Sequence, residues 1–164
     1  MFYLKLEIIV DGAGWRRIPN LNKNLHKAAN VLGANLPRHL RIPAKATLLL
    51  TTDAKMRNLN RNFRGVDKAT NVLSFPQFGV QELPKKGKIK QPVYLGDISL
   101  GYQHIVYEAN EYNKILINYV THLMIHGILH LLGYDHGTDT AARRMEGLEK
   151  KVLAKLNMPD PYVS

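Results

Sequence analysis

Three histidines, His126, His130 and His136, fall in the stretch HGILHLLGYDH, and their spacing is that of a metal site. Residues four apart on a helix are neighbours on one face, so His126 and His130 point the same way. Gly133 can adopt the left-handed conformation that ends a helix, and Tyr134 and Asp135 then carry the chain around so that His136 returns beside the other two. The expected result is three imidazoles converging on one point with a fourth position open, the arrangement that holds a catalytic zinc. The chain has no cysteine, so no thiolate can take part. His122 offers a rival row, His122, His126 and His130. In a helix the outer two of that row lie about 12 Å apart along the axis, too far for bonds of about 2 Å to a single ion. His122 is therefore read as a core residue or a hydrogen-bonded neighbour.

Gly127 stands where a metzincin-type zinc peptidase, whose histidine spacing this stretch matches, carries its glutamate base. Without that carboxylate, three neutral imidazoles leave a dication at full charge. The chain is already cationic, with 23 Lys+Arg against 13 Asp+Glu and a net charge of +10. Such a site suits an anionic phosphodiester better than a neutral peptide. The excess charge itself points to a polyanionic partner, nucleic acid before a membrane surface. Arg57, Arg61 and Arg64 recur at i, i+4 and i+7 on one helical face, beside an apolar stripe of Met56, Leu59 and Phe63 expected to fix that helix on the core. Arg57 and Arg61 read equally well as a solvated basic face. Arg64, at the helix end next to Gly65, is the better phosphate ligand, since guanidinium grips phosphate with two parallel hydrogen bonds. Lys85, Lys86, Lys88 and Lys90, in a Gly- and Pro-rich loop over residues 79–92, are read as nonspecific backbone contacts.

The elements that must carry these groups follow from periodicity. YLKLEIIV alternates as a strand with Leu4, Leu6, Ile8 and Val10 on one face. NLNKNLHKAANVLG predicts a helix with Leu21, Leu25, Ala28 and Leu32 inward, ended by Gly33. ATLLLTT is a buried strand, and a helix capped by Thr52 or Asp53 and stopped by Gly65 follows it. NVLSFPQF is a strand broken at Pro76, hence near a sheet edge, and VYLGDISL is another. Helices are expected over about 102–110, 114–132 and 139–156. The order predicts an α/β fold: one compact domain, a small mixed β-sheet packed with about five helices, and a metal cleft beside the His-bearing helix.

At 164 residues the chain suits a single domain, 1–164, with its own core. Lys5 and Glu7 interrupt the apolar N-terminal run and spoil a signal-peptide reading. Ile115–Leu132 lacks Lys, Arg, Asp and Glu and approaches spanning length. Its three histidines, asparagine and threonine would be costly in lipid, so a buried core helix is expected. A cytoplasmic protein with no membrane partner fits these features.

With those pieces placed, the chain resembles the YbeY family of bacterial endoribonucleases. The resemblance rests on FRGVDKATNVLSFP, LGDISL and HGILHLLGYDH, in that order, over roughly residues 45–157. It implies a small α/β domain with one zinc ion held by His126, His130 and His136 in a cleft, and a functionally needed arginine at Arg64. It further implies single-strand-specific, zinc-dependent cleavage of RNA, with maturation of the 16S rRNA 3′ end and ribosome quality control as its setting. The implied partners are rRNA precursors, the small ribosomal subunit and other ribosome-maturation proteins. The lysine loop matches no family motif. The segment after His136 carries nothing over. Asp97 is read as structural, and Asp135 as a general base or a carboxylate orienting a ligand histidine. Two other readings compete: an RNA-binding assembly factor with a structural, four-coordinate zinc, and a metallopeptidase with a base from elsewhere.

Overall fold

The computed structural model describes residues 4–79, 82–85, 87 and 89–163. Tyr3, Lys86 and Lys88, which figure in the expectations above, lie outside the described residues.

Strand β1 (Leu4–Val10) runs parallel to β2 (Ala44–Thr51), and β2 runs parallel to β4 (Val93–Gly101). Strand β3 (Val72–Pro76) pairs antiparallel with the far side of β4, giving the order β1-β2-β4-β3. The mixed sheet is the one expected, and Pro76, which lacks an N–H for the ladder, sits at the end of the edge strand. β1 buries Leu4 and Leu6 and exposes Lys5 and Glu7 between them, which is why its alternation was legible.

The described residues form five α-helices: α1 (Leu21–Asn35), α2 (Asp53–Arg64), α3 (Tyr102–Glu111), α4 (Leu116–Leu131) and α5 (Asp139–Lys155). α1 corrects the expectation at its end. Gly33 lies inside the helix and is buried, and the helix runs to Asn35. The stop comes from Pro37, which holds Leu36 in an extended conformation (ψ 153°). α2 begins with Thr52 as its cap, accepting from the Lys55 N–H at 3.4 Å, and ends on Gly65 at φ 70°.

The apolar stripe of α2 also needs correction. Met56 is fully buried, but Phe63 is 69% exposed. Asn60 takes the inward place, donating its Nδ2 to the Lys68 carbonyl at 3.0 Å and tying down the turn that follows. A short 3-10 turn, Ala13–Arg17, was not foreseen. It buries Trp15, whose indole N–H donates to the Thr51 carbonyl at 2.8 Å.

α4 lies at the centre of the molecule and packs on both β3 and β4. Its apolar residues Val120, Met124, Ile125, Ile128 and Leu129 are fully buried, so the uncharged run is a core helix as expected. Among the described residues no helix is long and apolar enough to cross a membrane.

Gly127 explains how closely α4 approaches the sheet. A Cβ placed there would meet Ile98 Cγ2 at 2.9 Å and Ser74 Oγ at 3.2 Å, and Ser74 Oγ donates to the Gly127 carbonyl at 3.2 Å. Ile98 is fully buried in β4 and has nowhere to retreat. Gly127→Ala would gain up to about 1 kcal/mol of helix propensity but force an overpacked contact costing roughly 1–3 kcal/mol. The expected result is a net loss of stability in denaturant unfolding. A variant as stable as the parent would show that this contact yields.

Candidate metal centre

The last two turns of α4 carry His126 and His130 on one face. Gly133 follows at φ 95°, a backbone conformation that L side chains rarely adopt, and the reversal brings His136 back. The ring centroids of His136 lie 5.6 Å from those of His126 and 5.2 Å from those of His130. One nitrogen from each of the three rings falls within 4.8 Å of the others. The structure thus brings together the three histidines that the spacing singled out. His126 and His130 are partly buried and His136 is exposed, so the cluster opens to solvent on one side. No fourth His, Asp or Glu joins the trio among the described residues.

The partners of the two helical rings fix their tautomers. His126 Nδ1 lies 2.6 Å from Glu149 Oε1, and His130 Nδ1 lies 3.0 Å from the Tyr134 carbonyl. Each Nδ1 faces an acceptor and must carry the proton, leaving a lone pair on each Nε2 in the neutral ring. Those two Nε2 atoms face each other at 3.0 Å. Two lone pairs at that distance repel unless a cation stands between them. Two metal–nitrogen bonds of about 2.1 Å at a tetrahedral angle would set the atoms roughly 3.4 Å apart, close to the separation found. Burial, together with the neighbouring His126, lowers the pKa of His130 and keeps it in the neutral form that binds metal. The donor set fits a metal ion such as zinc.

Glu149 is the residue that sequence reasoning missed. It is fully buried on α5 and accepts from His126 and, at 3.3 Å, from His122; the Tyr162 hydroxyl also donates to it. Burial alone would raise its pKa, but the hydrogen bonds from His122, His126 and Tyr162 outweigh burial and hold it at about 2. A charged carboxylate behind a histidine fixes the ring's orientation and makes its far nitrogen a better donor. The signal was present in the sequence: Met145, Glu149 and Val152 share the inward face of an amphipathic helix, and a carboxylate on such a face requires partners. His122 is one of those partners, so the rival row of three helical histidines does not form.

Asp135, read as a possible orienting carboxylate, is exposed and accepts from the Gly137 N–H at 3.1 Å. The carboxylate that meets a histidine of the trio is Glu149. Asp97 is exposed on β4 and accepts from the Tyr94 hydroxyl, which fits its structural reading. A cleft of about 890 Å³ opens beside the Gly133–Asp135 turn and is lined in part by Lys85, Tyr134 and Arg144.

The three arginines of α2 part company. Arg57 binds Asp67 through two hydrogen bonds, at 2.8 and 3.0 Å, and Arg61 lies 3.9 Å from the same carboxylate. Arg64, the last residue of the helix, is exposed and has no carboxylate within ion-pair distance among the described residues.

Comparison with known proteins gives a family. The family model described as Endoribonuclease YbeY matches residues 16–157. A Bradyrhizobium sp. protein called endoribonuclease YbeY is 40% identical over 156 residues, covering 95% of this chain and 90% of that protein. A Rhizobium etli protein of the same description is 41% identical over 171 residues, covering 99% of this chain and 95% of its own length. A solution structure from Thermotoga maritima shares the fold, with a TM-score of 0.55 at 21% identity over 97% of this chain and 99% of the other.

Proposed function

This chain belongs to the YbeY endoribonuclease family, and from that membership we propose that it is a zinc-dependent endoribonuclease. In this reading it cuts single-stranded RNA in the cytoplasm during ribosomal RNA maturation, at the 3′ end of 16S rRNA and in ribosome quality control. Ribosome precursors, the small subunit and other maturation proteins are its partners. The observation that carries the reading is the pair of Nε2 atoms of His126 and His130 facing each other at 3.0 Å, with His136 beside them and one side open.

His126, His130 and His136 would hold the ion, with Glu149 and the Tyr134 carbonyl fixing the first two rings. When bound, zinc supplies Lewis acidity to a phosphoryl oxygen and lowers the pKa of a coordinated water. Arg64 would grip the scissile phosphodiester and stabilise the charge that builds on it in the transition state. The peptidase alternative finds no support, since position 127 holds a buried glycine against the sheet.

Protein stripped with a chelator is expected to lose RNA cleavage and to regain it on addition of zinc. Arg64→Ala is expected to keep its metal but to cleave about 10²–10³-fold more slowly, the usual cost of removing one preorganised electrostatic contact. Equal cleavage by stripped and reconstituted protein would remove the metal from the mechanism.

A further inference from the structure

Phe63 is an anomaly of the fold. It sits in the last turn of a helix, at the position where the apolar pattern would turn it inward, yet it is 69% exposed. It is not isolated. Its ring meets that of Phe75 edge to face, with centroids 5.4 Å apart and an interplanar angle of 62°. Phe75 belongs to β3, the edge strand. Val66, just past the helix, is 41% exposed and extends the apolar area. A single exposed hydrophobic residue needs no explanation, but a pair of aromatic rings with a free cation next to it does.

Two further observations say what covers this pair. The first is charge: Arg64 follows Phe63 directly and is exposed without a carboxylate partner among the described residues, and Arg61, 3.9 Å from Asp67, lies one turn back. An apolar protein surface would gain little from such neighbours, whereas a base attached to a phosphate matches ring and guanidinium together. The second is position. Residue 74, next to Phe75, bonds to the carbonyl of Gly127, and Gly127 follows His126. Phe75 therefore belongs to the strand that borders the histidine-bearing helix, with its side chain on the opposite face of that strand from Ser74 and with Phe63 of α2 packed against it.

We infer that Phe63, supported by Phe75, is a stacking platform for an unpaired base of the RNA strand whose phosphate Arg64 holds. The inference rests on the endoribonuclease reading of the same site and adds a cause for preferring single strands. A base in a duplex is already stacked on both faces and cannot be offered to a protein ring, whereas an unpaired base can. The platform is tolerant of sequence, because every base has a flat π-face.

The test is the affinity of the full-length, zinc-loaded protein for two short 2′-O-methyl oligonucleotides of equal length, one with bases and one abasic, followed by fluorescence anisotropy. The parent protein is expected to bind the base-bearing strand about 5- to 150-fold more tightly than the abasic one, the range for one stacked base. Phe63→Ala is expected to lose most of that ratio with abasic affinity unchanged, and Phe63→Trp to restore it. Arg64→Ala is expected to weaken both strands alike. Because Phe63 is exposed, its variants should fold and take up zinc as the parent does. An unchanged ratio in Phe63→Ala, or equal weakening on both strands, overturns the platform. A parent that keeps the ratio but never cleaves RNA would instead overturn the nuclease reading and leave the platform standing.

Discussion

His126→Ala protein is expected to lose both zinc uptake and RNA cleavage while keeping its fold. Of the three ligand candidates this ring has the shortest hydrogen bond behind it, 2.6 Å to Glu149 against 3.0 Å from His130 to the Tyr134 carbonyl. Its removal leaves two imidazoles, only one of them braced from behind by a backbone carbonyl. Two nitrogen ligands in place of three cannot hold a catalytic ion against solvent or a chelator. Cleavage should fall by about 10³-fold or more, to the level of stripped protein, since the ion and its water are lost together. The fold should survive at reduced stability, because the surrounding core of Val120, Met124, Ile125 and Ile128 stays fully buried while the buried Glu149 loses one of its three donors. Metal analysis after dialysis and a cleavage assay with added zinc measure the two losses. A variant that retains a stoichiometric ion would show that His126 is not a ligand.

The second large effect falls on Glu149. Glu149→Ala removes a fully buried, charged acceptor and leaves His122, His126 and Tyr162 without the oxygen atoms they meet. Removing one member of a buried charged network costs roughly 3–5 kcal/mol, so a marked fall in unfolding midpoint is expected. Glu149→Gln keeps the shape but loses the charge, and its amide can present an N–H to a ring that also donates. With the support behind His126 weakened, zinc affinity should drop about 10- to 100-fold. A chelator competition on Glu149→Gln reads that drop separately from any unfolding. Zinc affinity equal to that of the parent would make Glu149 a purely structural buried charge.

These two residues also mark what could and could not be read along the chain. The histidine trio was legible because its geometry is local: two positions one helical turn apart and a glycine that reverses the chain within a few residues. The strands were legible where one face is buried, as in β1, and the edge position of β3 followed from Pro76. The inward place of Glu149 on α5 was open to the same reading, but its partners were not, because they come from α4 and from the segment after α5 and only tertiary packing brings them together. Trp15 escaped for the same reason, since its hydrogen bond reaches the end of β2. Phe63 misled in the opposite direction. Helical periodicity counts it inward, but Asn60 fills the inward place with a polar side chain whose Nδ2 donates to the turn after α2. Periodicity reports which residues prefer burial and cannot say when a polar group is preferred for its hydrogen bond.

The contact of Gly127 with Ile98 and Ser74 has a consequence for how this scaffold can diverge. On paper, one substitution after His126 would restore the glutamate of a peptidase signature. In the folded chain that glutamate would begin as an atom pressed against the sheet, so α4 would first have to lift away from β3 and β4. The lift would in turn shift His126 and His130, which ride on the same turns. A lineage at this point faces a gap of several coordinated changes, and the two hydrolases that look like neighbours in a motif alignment stand far apart in accessible sequence space.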